Sequence, residues 1–325
     1  MKNNNAFAHV KEPNFYTSFI IPIICLILFL TFTSLYADIE DYFKKIDKCP
    51  GHCLKNIDYI YLINLEERPE KFCRCIEQLA PYGIIPHRFS AINGWKLSIE
   101  AFNELGVKYG SWMQNGVMGT YYTEETEYTP QYEPIEMPGK TYFGHRVFPG
   151  AIGVVLSHLS VLQHAYDSDF ETIWVMEDDI EILKDPHLLP QLIDRLDSLV
   201  GEEGWDILFT DKDTKGRDGK VVPCDCYAWR PNFIPNDPKK FGQIKEISSE
   251  FRQIGARYGS YSMIIRRSGM KKLLNFIKQY QIFLPYDMEY TLPNDIRLFT
   301  VLDDLVTTYY AAPSDNTAAN YKNKE

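Results

Sequence analysis

The spacing of apolar residues predicts alternating strands and helices from about residue 57 onward. A run at 57–65, rich in isoleucine, leucine and tyrosine, predicts a first buried strand. Residues 66–82 then carry apolar side chains at helical spacing, and Gly83 is placed to end that helix. Residues 84–92 predict a second strand. This strand–helix–strand order is typical of an α/β fold with a parallel sheet.

The second half of the chain continues the alternation around one short apolar strand. Residues 150–166 predict a helix, and residues 172–176 (TIWVM) predict a strand that runs directly into three acidic residues. Other predicted elements are a helix at 190–200, strands at 205–209 and 260–265, and a helix at 268–279 with Ser268 as its N-cap. In residues 106–145 and 211–250 the apolar residues show neither helical nor strand-like spacing. We predict a long ordered loop or lid for the first of these segments and a loop for the second.

The amino-terminal part has a different character, because residues 15–37 contain no charged side chain. About 20 apolar residues can span a bilayer as a helix, so this segment predicts a membrane anchor. A secretory signal ending near Ala37 is the alternative. In either case, we expect a membrane-anchored or exported protein. We further expect a stem at 38–56, a catalytic domain at 57–312 and a disordered polar tail at 313–325.

The composition indicates a globular protein, and the charge distribution argues against nucleic acid as its main partner. The 325 residues are 45% hydrophobic and 24% charged, and the net charge is -10 without a dense Lys/Arg tract. Nucleic acid is therefore not the expected partner, because duplex binding needs clustered cations. Of seven cysteines, six lie outside the apolar segment. An even number suits disulfides in an exported domain, but simple thiols are an equal alternative.

The strand at 172–176 is followed directly by Glu177, Asp178 and Asp179. Open α/β sheets bind ligands at the carboxyl ends of their strands, so these residues stand where a ligand is expected. Adjacent carboxylates repel one another, and their burial is costly unless a cation is present. Mg²⁺ and Mn²⁺ prefer such oxygen ligands. On an extended chain, Glu177 and Asp179 would share one side and hold the metal, with Asp178 opposite. The alternative is that one aspartate simply caps the next segment.

Other acidic residues are less specific. Asp211 and Asp213 form an Asp-x-Asp pattern after a predicted strand, but the surrounding sequence is hydrophilic. We interpret them as a solvated turn. Asp303 and Asp304 have the same interpretation.

Five segments, taken together and in order, resemble glycosyltransferase family 25, which includes lipooligosaccharide and procollagen sugar transferases. They are residues 60–69 (IYLINLEERP), 88–94 (RFSAING), 150–159 (GAIGVVLSHL), 174–180 (WVMEDDI) and 259–274 (GSYSMIIRRSGMKKLL). The resemblance implies a GT-A-like, Rossmann-type mixed sheet flanked by helices. It also implies transfer with inversion from a UDP-sugar, with galactose or glucose as the hexose, to a glycan or protein acceptor, assisted by Mn²⁺ or Mg²⁺.

The resemblance also implies roles for residues around the triplet. Asn64 and Arg68 follow the first strand, where the nucleotide would bind, and the Arg68 guanidinium would face a phosphate. Ser157 and His158 lie on the helix that should face the donor, and Asp178 would position the sugar. The alternatives are surface pairing of Arg68 with a neighbouring glutamate and a purely structural core role for His158.

Inversion needs one base to deprotonate the acceptor hydroxyl. Asp287 lies where the family keeps an acidic residue, so it is the candidate base. Two further functions stay open at this point. One is a catalytically inactive carbohydrate-binding or assembly protein with the same fold. The other is a metal-dependent hydrolase. The sequence lacks the set of His and Asp ligands that a two-metal hydrolase centre needs, which argues against this function.

Overall fold

The computed structural model describes residues 38–47, 51–126, 128–216, 218–309 and 311–323. The predicted anchor or signal segment, residues 15–37, lies outside these ranges and stays a prediction. Within the described ranges, no helix has both the length and the apolar character needed to cross a bilayer.

Strands and helices alternate through the described chain. The strands are β1 (Tyr59–Asn64), β2 (His87–Ser90), β3 (Val107–Lys108), β4 (Met118–Tyr121), β5 (Gln131–Pro134), β6 (Thr141–Gly144), β7 (Thr172–Glu177), β8 (Ile180–Ile182), β9 (Ile207–Phe209), β10 (Ile244–Glu246), β11 (Phe251–Ile254), β12 (Ser262–Arg266), β13 (Leu298–Val301) and β14 (Val306–Thr308). The helices are α1 (Pro69–Leu79), α2 (Ile99–Leu105), α3 (Pro149–Asp167), α4 (Leu189–Val200), α5 (Arg267–Tyr280) and α6 (Tyr286–Glu289).

The main sheet of the described chain has eight strands in the order β10-β11-β13-β9-β12-β7-β1-β2. Strands β7, β1 and β2 run parallel, as the strand–helix–strand pattern predicts. Strand β12 runs antiparallel to both of its neighbours, β7 and β9, so the sheet is mixed. The prediction of a mixed α/β sheet flanked by helices is confirmed.

Both faces of this sheet are buried, which explains the continuous apolar run of β7. Ile173 and Val175 enter one core with α3 and α5, whereas Trp174 and Met176 enter a second core with α1 and α4. Burying an aliphatic or aromatic side chain contributes about 1.5–3 kcal/mol. A strand between two helical layers therefore needs apolar residues at successive positions.

Residues 106–145 are not the long loop or lid that the sequence predicts. They form a separate antiparallel sheet in the order β3-β6-β4-β5. These strands have two to four residues each, too few for a periodic pattern. Tyr122 stacks on Phe102 of α2 with the ring centroids 4.8 Å apart, and this contact joins the small sheet to the main core.

The helix predicted at 268–279 is confirmed, but its predicted cap is wrong. Helix α5 begins at Arg267, and the Ser268 side chain makes no capping hydrogen bond. The Ser268 hydroxyl instead donates to Asp206, with 2.6 Å between Oγ and Oδ1. The Ser268 hydroxyl therefore binds the buried carboxylate of Asp206 and does not cap the first turn of the helix.

Part of the predicted stem lies against the main domain. Ile39, Phe43 and Ile46 pack on the first core, and the Lys44 amide donates to Ser160 Oγ at 3.0 Å.

The cysteines of the described chain give no support to a disulfide framework. Cys53, Cys73, Cys75, Cys224 and Cys226 are free thiols. Within the described ranges, the two C-x-C pairs are therefore not joined to each other.

Candidate active site

An open cleft lies at the carboxyl ends of β2, β1 and β7. These three strands are parallel neighbours, so their ends meet at one edge of the sheet, the usual ligand position in open α/β folds. The cleft is lined by Ile63, Leu65, Lys71, Ala91, Ile92, Asn93, Gly94, Trp95, Gly150, Val154, Ser157, His158, Glu177, Asp178, Asp179, Ser314, Asp315 and Asn316.

All three acidic residues of the triplet line this one cleft. The Asp178 carboxylate contacts Lys71 of α1, whereas the Glu177 carboxylate contacts His158 of α3 on the other face of the sheet. Strand β7 ends at Glu177, and Asp178 and Asp179 form a turn before β8 begins. Alternation of side chains holds only along an extended strand, so the turn, and not the strand, sets the directions of the Asp178 and Asp179 side chains.

Two side chains from different elements hold the Glu177 carboxylate. His158 Nε2 of α3 lies 3.0 Å from Glu177 Oε1, and Ser260 Oγ donates to the same oxygen at 2.5 Å. A carboxylate accepts hydrogen bonds, so Nε2 is the donor in the first contact. Burial opposes ionisation of Glu177, but the hydrogen bonds from His158 and Ser260 keep its pKa below the usual value.

Asn64 and Lys71 hold the Asp178 carboxylate from the side of β1 and α1. Asn64 Nδ2 donates to Asp178 Oδ2 at 2.7 Å, and Lys71 Nζ lies 3.4 Å from Oδ1. Asn64 Oδ1 in turn accepts from Arg88. Asn64 is buried with its amide fully engaged, so it positions Asp178 rather than lining the cleft. Burial raises the pKa of Asp178 despite Lys71.

Asp179 differs from its neighbours because one of its carboxyl oxygens is unsatisfied. Oδ1 is buried without a hydrogen-bond partner. Burial, together with the charges of Glu177 and Asp178, raises the pKa of Asp179 to about 7. A buried acceptor without a donor is costly, and a bound cation would remove that cost.

The donor atoms of the triplet fit a hard divalent cation, and the unsatisfied Asp179 oxygen is the observation that favours one. Within the described ranges, however, no three or more His, Cys, Asp or Glu side chains are grouped closely enough to hold an ion by themselves. Mg²⁺ is commonly bound by one or two carboxylates together with substrate phosphates. The cleft fits that arrangement better than a closed protein site.

His158 connects the triplet to the segment that carries the candidate base. Its ring stacks on Tyr286 with the centroids 4.1 Å apart. Asp287 follows Tyr286 and accepts from the Gly259 amide at 3.1 Å, next to the Ser260 that contacts Glu177. Burial raises the pKa of Asp287, and the Glu177 charge adds to the rise. Asp287 does not line the cleft itself but lies beside its acidic end.

Arg68 is not on the surface, but it does pair with a neighbouring glutamate, because its Nη1 lies 3.4 Å from Glu70 Oε1. It is buried, and its guanidinium binds both oxygens of Asp315, with 2.6 Å from Nε to Oδ2 and 2.7 Å from Nη2 to Oδ1. These hydrogen bonds raise the pKa of Arg68. The expected disorder of the tail is wrong for residues 311–323, because Asp315 fixes this segment across the cleft.

The sequence profile of Glycosyltransferase family 25 (LPS biosynthesis protein) matches residues 57–290, which is most of the chain and includes the acidic triplet. The chain belongs to glycosyltransferase family 25. It is similar to proteins named "Glycosyltransferase 25 family member" from Drosophila melanogaster, at 24% identity over 169 residues, and from Aedes aegypti, at 24% over 178 residues.

These matches cover 52% and 54% of this chain but only 23% and 24% of the two relatives. The aligned part of this family 25 protein thus spans about a quarter of the length of the curated relatives. The family, and with it the sequence resemblance, is confirmed.

Two of the resembling segments meet physically at the cleft. A Cβ atom on Gly94 would stand 1.7 Å from the Pro149 carbonyl oxygen, and one on Gly153 would stand 2.5 Å from the Gly94 amide nitrogen. Ser157 Oγ donates to the Gly153 carbonyl and accepts from the Ile92 amide. Ser157 therefore fixes the loop after β2 against α3; it also lines the cleft, and its contact with the donor stays a prediction.

Sequence reasoning missed three side chains of this family 25 site. Ser260 and Lys71 contact the triplet, and Asp315 binds Arg68. Ser260 stands within a family-like segment, so its position before a strand was an available signal. Lys71 and Asp315 have no comparable local signal, because only the fold brings them to the cleft.

Asp211 was predicted to lie in a solvated turn, and this is wrong. Its side chain is fully buried. Its carboxylate accepts from Arg257 Nη2 at 2.9 Å, from the Tyr261 hydroxyl at 2.5 Å and from Thr307 Oγ1 at 2.8 Å. Four residues from three parts of the sequence thus form a closed polar network, which satisfies a buried charge without any ligand.

Proposed function

We propose that this family 25 protein transfers a hexose, galactose or glucose, from a UDP-sugar to a hydroxyl group of a glycan or protein acceptor, with inversion. We take its sheet as a GT-A-like, Rossmann-type arrangement. The observation that carries the proposal is the unsatisfied Asp179 oxygen in an acidic cleft at the ends of three parallel strands. A divalent cation would supply the positive charge that this cleft lacks, and it would also bind the diphosphate of a nucleotide-sugar.

In this proposal Glu177 and Asp179 would hold Mn²⁺ or Mg²⁺, and the ion would supply positive charge to neutralise the departing diphosphate. The chain contributes the fixed geometry of its own carboxylates. His158 and Ser260 immobilise Glu177, and Asp178 is immobilised through Asn64. Preorganised groups need no rearrangement when charge develops, which is the main advantage of such a site.

Asp287 is the proposed general base. It accepts the proton of the acceptor hydroxyl while that oxygen attacks the anomeric carbon. The new bond joins the acceptor oxygen to the anomeric carbon, the bond from that carbon to the phosphate oxygen breaks, and UDP leaves with the electron pair. Burial and the Glu177 charge raise the pKa of Asp287 from its ordinary value, which makes the carboxylate a stronger base.

We also propose, from the sequence of residues 15–37, that the protein is membrane-anchored or exported through the secretory route. Protease protection in isolated membranes tests this point separately from catalysis.

The test of function is UDP release from a panel of UDP-sugars with Mn²⁺, with and without glycan acceptors, by the wild type and by Glu177→Gln. We expect the variant to lose at least about 100-fold in turnover, because it removes a charge from the reacting cleft. Asp303→Asn is the matched control, since Asp303 is an exposed surface carboxylate. Equal turnover and equal Mn²⁺ dependence in Glu177→Gln and the control would contradict the proposal. Sugar binding without turnover by the wild type would favour an inactive carbohydrate-binding protein.

A further inference from the structure

The segment of residues 311–323, called the tail segment below, forms part of the wall of the cleft. Ser314, Asp315 and Asn316 are among the cleft-lining residues. Between residues 311 and 322, Asp315 is the buried residue, whereas the others are exposed or half-buried. The tail segment therefore lies on the surface and reaches into the cleft with a single carboxylate.

That carboxylate occupies a well-formed anion site. The Arg68 fork binds both Asp315 oxygens at 2.6 and 2.7 Å, and the exposed fractions of the two side chains are 3% and 8%. The Trp95 indole donates to the Asp315 carbonyl at 2.8 Å. A bidentate guanidinium suits a phosphate as well as a carboxylate. The Asp315 position thus has the chemistry of a phosphate site.

The position is also shaped for the tail segment. A Cβ atom on Gly150, in the first turn of α3, would stand 2.3 Å from the Asp315 carbonyl oxygen and 2.6 Å from that of Asn316. Only glycine leaves room for this close approach. The contact between tail segment and cleft is therefore built into α3 and is not an incidental surface contact.

Charge decides whether a diphosphate can enter beside Asp315. The described side chains that line the cleft include the triplet and Asp315 as anions and Lys71 as a cation, and Lys71 already pairs with Asp178. Arg68 already pairs with Asp315 and, at 3.4 Å, with the exposed carboxylate of Glu70. Even with a cation neutralising the triplet, a diphosphate beside Asp315 would face that carboxylate at close range, which is unfavourable in a partly buried site. Exchange of Asp315 for a phosphate group keeps the charge around Arg68 balanced.

The remaining contacts of the tail segment are few and polar. Tyr321 donates its amide to Asp315 Oδ1 at 3.0 Å, and its hydroxyl accepts from Asn93 at 3.0 Å. Asn320 donates to the Ser314 carbonyl within the segment. Segments with little buried apolar surface open at low free-energy cost. The Arg68–Asp315 pair is therefore the main attachment.

We propose that the Arg68 pocket is the diphosphate-binding site of the nucleotide-sugar and that Asp315 is its internal occupant, so that donor binding releases the tail segment. The identity of the ligand as a nucleoside diphosphate rests on the proposed function. The anion exchange at Arg68 is independent of it.

The experiment measures binding of UDP, and of inorganic pyrophosphate, to the full chain with Mn²⁺ by isothermal titration calorimetry. Asp315→Asn keeps the shape of the side chain but removes its charge. We expect it to bind both ligands about tenfold more tightly, since an internal occupant present about nine-tenths of the time weakens binding by that factor. The control Asp303→Asn, which removes an exposed carboxylate elsewhere on the surface, should bind as the wild type does.

Hydrogen exchange of the wild type gives a second measurement that needs no variant. We expect UDP to increase exchange of the amides in 311–323. Protection of these amides by UDP would show a lid that closes over the donor, and it would overturn the proposal. Unchanged or weaker binding by a folded Asp315→Asn would overturn it as well.

The outcomes also separate this proposal from the proposed function. If Asp315→Asn binds pyrophosphate more tightly but neither protein binds UDP or turns over a UDP-sugar, the anion exchange stands and sugar transfer fails. If UDP-sugars are turned over and Asp315→Asn changes no affinity, sugar transfer stands and the exchange fails.

Discussion

The raised pKa of Asp179 gives the fold a pH dependence that unfolding experiments can measure. The group is an acid whose pKa in the folded protein, about 7, lies above its ordinary value of 3.8. The folded state therefore holds this proton over a range where the unfolded chain has lost it. The contribution of Asp179 to the free energy of unfolding is therefore at its maximum below about pH 4. It falls as the pH rises from about 4 to about 7.

The structure sets the size of the effect. The shift is about three pH units at about 1.4 kcal/mol per unit, so ionisation of Asp179 costs the fold up to about 4 kcal/mol above pH 7. Asp179→Asn removes the ionisable group but keeps the side-chain shape. The backbone hydrogen bond from the Tyr309 amide to the residue 179 carbonyl is retained. We therefore expect the variant to be more stable than the wild type above pH 7 and equally stable near pH 3.5.

Urea unfolding of both proteins at half-unit steps from pH 3.5 to 8 provides the measurement. The difference in unfolding free energy should grow between pH 4 and pH 7 and then level off. Asp303→Asn, a change at an exposed carboxylate, should show no such growth. A destabilised Asp179→Asn at pH 7.5, or a difference that stays constant with pH, would refute the reasoning. If the proposed metal binds here, Mn²⁺ should stabilise the wild type at pH 7.5 but not Asp179→Asn.

Two further predictions concern the base and the fold. Asp287→Asn should lower sugar transfer by about 100-fold or more while leaving the Kd for UDP unchanged, and a normal transfer rate would remove the base assignment. Arg230→Met should lower the unfolding free energy by about 3–5 kcal/mol in urea, because it leaves Glu289 as an unpaired buried carboxylate. Glu289 also accepts from two backbone amides, so Arg230→Met/Glu289→Gln should recover part of the loss, and equal stability of both variants would contradict this account.

Several elements were predictable because their signals are local. The helix at 150–166 and the strand at 172–176 agree with α3 and β7 to within one residue at each end. Burial on both faces of the sheet requires a continuous apolar strand, and the requirement is visible in the sequence itself. The acidic triplet directly after that strand was equally visible, as were the family-like segments.

The small sheet at 106–145 and the polar network of Asp211 were not predictable in this way. Strands of two to four residues are too short to show a period. Asp211 looks like part of a hydrophilic turn in the sequence, and only Arg257, Tyr261 and Thr307 make its burial favourable. These partners lie 46 to 96 positions from Asp211 along the chain, so no local pattern indicates them.

The same division applies to the cleft. The sequence by itself determined that three carboxylates stand at the end of a buried strand and that the chain resembles family 25. The tertiary structure decided which partner each side chain has: His158 and Ser260 for Glu177, and for Arg68 a carboxylate 247 positions away. Periodicity reports burial, which is a local property of a strand or helix. Charge pairing depends on which distant residues the fold brings within about 3 Å, and that information is absent from any short stretch of sequence.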